Sequence, residues 1–103
     1  MTVSKQIKSK VSKEGLLTIS LDEVNVPEPS DGEVLIKVLA TPINPSDLGL
    51  LVGPADISSL KEVKKGSVIE MKVPDGLIRS VAARFDQNLP VGNECAGIVE
   101  SAG

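Results

Sequence analysis

Apolar and polar residues alternate along this chain with a period of two, and prolines cut the alternation into lengths. Leu17, Ile19 and Leu21 alternate with Thr18, Ser20 and Asp22, the pattern of a strand buried on one face. Ile7 and Val11 point to a preceding strand, and Lys13-Glu14-Gly15 to the turn between them, so a hairpin is expected over about residues 4–24. Pro27 and Pro29 end the second strand, because proline has no N–H to give a ladder. After the Asp31-Gly32 turn, Val34, Ile36, Val38 and Ala40 share one face, while Leu35 and Leu39 flank Lys37 on the other. An apolar pattern on both faces predicts a central strand over Glu33–Ala40. Ser67–Val73 alternates again, and Cys95–Ser101 reads as a strand of small residues.

Helical signals are confined to the middle of the chain. Ser46 or Asp47 can cap a short helix carrying Leu48, Leu50 and Leu51, which Gly53-Pro54 stops. Asp56–Val63 is expected as a second short helix. Leu77, Ile78, Val81, Ala82 and Phe85 fall at helical spacing, which turns Arg79 and Arg84 away from the core. Mostly strands with a helical excursion over about residues 46–86 gives a mainly β fold, a small, partly open barrel.

Composition removes several function classes. The 103 residues suit one domain. Phe85 is the only aromatic residue, so the core is built from Val, Ile, Leu and Ala, and stacking platforms for bases are missing. A net charge of −3 also argues against nucleic acid. There is no His and a single Cys, Cys95, which excludes an internal disulfide, His-dependent nucleophilic catalysis and any ordinary zinc ligand set. No apolar run approaches membrane-spanning length. A soluble, cytoplasmic protein is expected.

Two polar constellations carry the chemistry. The first, Pro42-Ile43-Asn44-Pro45-Ser46-Asp47, places an amide, a hydroxyl and a carboxylate at a strand-to-helix bend. The second, Gly92-Asn93-Glu94-Cys95-Ala96-Gly97-Ile98-Val99-Glu100, sets a carboxylate beside small residues that let another backbone come close. By itself the first reads more readily as a capping and turn device, the second also reads as a turn and a tightly packed strand, and neither alone is specific.

In order after Gly32–Val38, these motifs resemble the N-terminal portion of the medium-chain dehydrogenase/reductase superfamily. The resemblance covers roughly residues 16–53 and 89–103, and 54–88 reads as an insertion. It implies that residues 1–103 are the front of a GroES-like catalytic domain, an incomplete β-barrel with short helices. The remainder, with a Rossmann domain binding NADP or NAD, is expected beyond Gly103. Asn44 and Asn93 stand where zinc-dependent members carry a ligand cysteine and a ligand histidine, and amides are poor zinc ligands. Ser46, Asp47 and Glu94 match polar residues that the family keeps around its substrate. The resemblance therefore implies the zinc-free quinone oxidoreductase-like branch, reducing quinones or other conjugated carbonyls. The lack of tyrosine lowers the enoyl reductase branch. Asn44, Ser46, Asp47 and Glu94 are expected to meet within about 12 Å, the scale of a ligand pocket. The chain alone is expected to be inactive and to form homo-oligomers through unpaired strand edges. The alternative is a co-chaperonin-like interaction module, which would need a long mobile loop where this chain has the compact Pro27–Gly32 turn.

Overall fold

The computed structural model describes residues 2–103 and places the expected hairpin first. Strands β1 (Thr2–Val11) and β2 (Leu16–Val26) pair antiparallel from Thr2↔Val26 to Val11↔Leu17. The turn between them depends on Gly15, whose φ of +87° favours glycine. A Cβ there would also lie 2.8 Å from Ile78 Cδ1 and 3.1 Å from the Val73 carbonyl. Strand β3 (Val34–Ala40) leads to helix α1 (Pro45–Leu51), followed by β4 (Asp56–Lys64) and β5 (Val68–Lys72). A 3-10 segment (Asp75–Arg84), the two-residue β6 (Leu89–Pro90) and β7 (Ala96–Ala102) complete the order.

The strands form two sheets. Five run in the order β4-β5-β2-β1-β6, and β3 and β7 make a separate two-stranded ribbon. The fold is mainly β and its sheets do not close, in agreement with a partial GroES-like domain. β3 is not the central strand its pattern predicts. Among the described residues its only ladder partner is β7, and Val34, Ile36, Val38 and Leu39 remain 42–62% exposed. The apolar two-sided pattern is real; the neighbours that would bury it are not among the described residues.

Two further expectations are corrected. Asp56–Val63 is strand β4, not a helix. Pairing with β5 decides this: Lys61 lies opposite Glu70 with a 3.0 Å salt bridge, and β-branched Ile57 and Val63 suit an extended backbone. Asp56 begins the strand with a local turn, its Oδ1 accepting from the Ser58 N–H and hydroxyl. The Leu77–Phe85 stripe is not α-helical either. It lies in the 3-10 segment, which breaks at Val81 (φ −115°, ψ 16°). With three residues per turn, Ile78, Val81 and Arg84 fall in one row. Val81 is buried, Ile78 and Arg84 are half-buried, and Leu77 and Ala82 are exposed.

The core is small. Val11, Leu17, Met71, Val73 and Val81 are buried together, with Ile19, Val52, Ala55, Ile78 and Phe85 packed around them. It therefore sits where β1, β2 and β5 meet the 3-10 segment, and α1's C-terminal end reaches it through Val52. The β2–β3 connection is held locally. Glu33 Oε1 accepts from the Ser30 N–H (2.9 Å) and hydroxyl (2.6 Å), and the Glu33 N–H donates to the Ser30 carbonyl (2.9 Å).

Leu17→Ala, at 2% exposure, is expected to cost about 2–5 kcal/mol, the usual range for a core leucine. Val34→Ser, on the open ribbon, should stay within about 0.5 kcal/mol. Urea denaturation of both variants measures the contrast. At Glu33 the Ser30 hydroxyl and then the Ser30 N–H stabilise the ionised form, so its carboxyl titrates below the ordinary 4.5. A depressed folded value means that the turn's contribution is full above 4.5 and is lost as pH falls through that lower value. Carboxyl NMR titration should show the lowered midpoint, and Ser30→Ala should return it most of the way; an unshifted wild-type midpoint would refute the assignment.

Candidate active site

Helix α1 begins at the bend that follows β3. Asn44 is its N-cap, extended at φ −93° and ψ 157°, and Pro45 occupies the first turn, where a missing N–H is harmless. Asp47 Oδ2 accepts from the Asn44 N–H at 2.8 Å, and the Asp47 N–H donates to the Asn44 carbonyl at 2.9 Å. The carboxylate thus fastens the bend to the first turn. Asp47 is only 6% exposed, the one buried acidic residue among the described residues.

The second motif arrives from the other strand of the ribbon. Ala40 lies opposite Ala96, so Asn44 and Glu94 leave the same end of the β3–β7 ladder. Asn44 Nδ2 donates to Glu94 Oε1 at 3.0 Å across 50 positions of sequence. An ionised carboxylate only accepts, so the amide nitrogen has to face it. This leaves the second N–H and the amide oxygen of Asn44 for another group. Gly97 permits the close approach of the strands: a methyl there would run into the Lys37 carbonyl and the Ile36 side chain.

Asn44, Asp47 and Glu94 are therefore joined by hydrogen bonds, and Ser46 is exposed in the first turn of α1 between two of them in sequence. Glu94, Asn93 and Cys95 are also exposed, so this is a shallow polar surface rather than a closed pocket. Among the described residues no three His, Cys, Asp or Glu side chains converge as a metal-binding group. A nicotinamide dinucleotide finds no phosphate cradle here. The sequence lacks Gly-x-Gly-x-x-Gly. α1 opens with Pro45, which has no N–H, and Asp47 brings a negative charge to that end.

Arg84 is the residue that sequence reasoning missed. α-helical spacing turns it outward, whereas the 3-10 row turns it toward α1. Its Nη1 donates to the Gly49 carbonyl (3.0 Å), and its Nη2 to the Leu50 carbonyl and Ser9 Oγ (3.3 Å each). Ser9, fully buried, donates its hydroxyl to the same Leu50 carbonyl. Partial burial lowers the guanidinium pKa from its ordinary value.

No known family profile matches the chain. Two curated proteins match part of it. A mitochondrial enoyl-[acyl-carrier-protein] reductase of Xenopus tropicalis is 48% identical over 40 residues, 39% of this chain and 11% of that protein. A zinc-type alcohol dehydrogenase-like protein of Schizosaccharomyces pombe is 49% identical over 39 residues, 38% of this chain and 12% of that protein. These partial matches support the medium-chain dehydrogenase/reductase superfamily and an oxidoreductase as the general class. The matched stretches span about a ninth of the relatives' length. No helix among the described residues is long and apolar enough to cross a membrane.

Asp47→Ala removes the acceptor that holds the bend and should cost about 1 kcal/mol, within the 0.5–2 kcal/mol range of helix caps. Ser46→Ala, one position earlier and exposed, should change stability by less than about 0.5 kcal/mol. Thermal unfolding of the two variants side by side tests the assignment.

Proposed function

We propose that Asn44, Ser46, Asp47 and Glu94 form the substrate side of an NAD(P)H-dependent, zinc-independent oxidoreductase that reduces quinones or other conjugated carbonyls. The observation that carries this reading is the 3.0 Å bond between Asn44 and Glu94, which unites the two motifs. Glu94 holds one N–H of the amide and so aims the other outward, where it can donate to a substrate carbonyl oxygen. Ser46 adds a hydroxyl donor two residues on, and Asp47 keeps the bend that presents both. Two oriented donors on a carbonyl oxygen are the polar contribution that such a reduction asks of a protein. The nicotinamide supplies the hydride when bound, and no residue described here offers it a phosphate site. The amides at Asn44 and Asn93 favour the zinc-free branch, although one of the relatives is named as zinc-type.

The same reading takes the uncovered β3–β7 ribbon as a surface for self-association. Sedimentation at increasing concentration should show a dimer or larger species, and a clean monomer would sink that part.

The site is tested by titrating the chain with 2-cyclohexenone while following side-chain and backbone NMR signals. Saturable shifts at Asn44 and Ser46 are expected below about 10 mM, the range of a ligand held by one or two hydrogen bonds. They should vanish in Asn44→Ala, and NADPH should cause no shift. Absence of any enone response at these residues, or stoichiometric zinc surviving dialysis, would overturn the reading.

A further inference from the structure

We infer that Arg84 is a positioning residue for the Asn44–Glu94 pair, acting through α1 from the end of the helix opposite the site. The inference rests on the reading of that pair as the site. α1 has seven residues, too few to be stable as an isolated helix. Its position is therefore set by what holds its two ends. At the N-terminal end the ties are Asp47 to the Asn44 N–H and Asn44 to Glu94. At the C-terminal end the Val52 and Gly53 N–H groups both donate to the Leu48 carbonyl. Of the three carbonyls that follow in this last turn, Arg84 and Ser9 take up those of Gly49 and Leu50.

The guanidinium suits this task better than an ammonium. Its planar fork reaches two carbonyls and a hydroxyl at once, each from a fixed direction. It thereby joins three elements that are distant in sequence: the 3-10 segment through Arg84, α1 through Gly49 and Leu50, and β1 through Ser9. Ser9 is 0% exposed and its neighbour in the row, Val11, is a core residue. Arg84 thus refers α1 to a strand of the buried core, not to a loop. A helix of seven residues is about 10 Å long, so a shift or rotation at the Leu50 end is delivered to Asn44 at the other. Among the described residues, the side-chain hydrogen bonds that tie α1's C-terminal half to the five-stranded sheet run through Ser9 and Arg84.

The test reads the geometry of the pair rather than activity, so it stands whether or not the enone titration succeeds. The side-chain amide protons of Asn44 are followed by NMR in the full chain, in Arg84→Ala and in Arg84→Lys. In the wild type one proton should resonate downfield, as expected for a bond to a carboxylate. In Arg84→Ala that signature is expected to collapse to the solvent position and its exchange to quicken at least tenfold. The backbone amides of Leu17 and Met71 should keep their protection, and added guanidinium ion should restore part of the signature. Arg84→Lys, which keeps the charge but not the fork, should give an intermediate loss, and it decides the matter if Arg84→Ala does not fold. An Asn44 signature unchanged in a folded Arg84 variant would overturn the proposal. So would loss of protection at Leu17 and Met71 in step with Asn44 in Arg84→Lys, since that describes a general structural role.

Discussion

The whole molecule is hung on a very small core. Five buried side chains, Val11, Leu17, Met71, Val73 and Val81, tie the first hairpin to β5 and to the 3-10 segment. With one aromatic ring in the sequence, no single large side chain can fill that space. Valines, a leucine and the unbranched Met71 fill it instead, and the backbone must come close to let them. Gly15 is buried at the hairpin turn for this reason, with its carbonyl accepting from the Val73 N–H at 2.8 Å. The core in turn fixes the row that carries Ile78, Val81 and Arg84. Through Arg84 it reaches α1 and the polar end of the ribbon.

Much of this was legible in the sequence where a short-range rule decides the outcome. The hairpin, the end of β2 before Pro27 and the β5 and β7 strands all follow from period and proline chemistry, whereas the cap of α1 falls on Asn44 and not on Ser46 or Asp47, which sit inside the first turn. Legibility failed where pairing or turn geometry overrules period. Ile57, Leu60 and Val63 are spaced three apart, which reads as a helix; irregular pairing with β5 makes the segment a strand with two register shifts. The stripe from Leu77 to Phe85 has the right residues for an amphipathic helix but winds more tightly. About 0.6 fewer residues per turn is enough to move Arg84 from the outer face to the inner one. At the site, residue types and order pointed to Asn44, Ser46, Asp47 and Glu94. That Asn44 and Glu94 touch depends on strand register, which the sequence does not spell out.

The electrostatics of the site are those of a donor surface framed by carboxylates. Glu94 orients Asn44 through Oε1, and Asp47 holds the bend through Oδ2. What is left outward is the amide of Asn44 and the hydroxyl of Ser46. Such a surface suits a neutral oxygen acceptor better than a phosphate, which two nearby negative charges would repel.

The site also inherits its alignment from the ribbon in the way a vernier does. Asn44 follows Ala40 and Glu94 precedes Ala96, the last paired residues of β3 and β7. Sliding one strand by a single residue moves its end by about 3.4 Å, more than the whole length of the bond between them. Length changes are therefore graded by location. An added residue in the Lys65–Gly66 tip between β4 and β5 lengthens a loop and leaves the ladder as it was. A deletion inside β3 or β7 leaves every side chain present and the two halves of the site out of step.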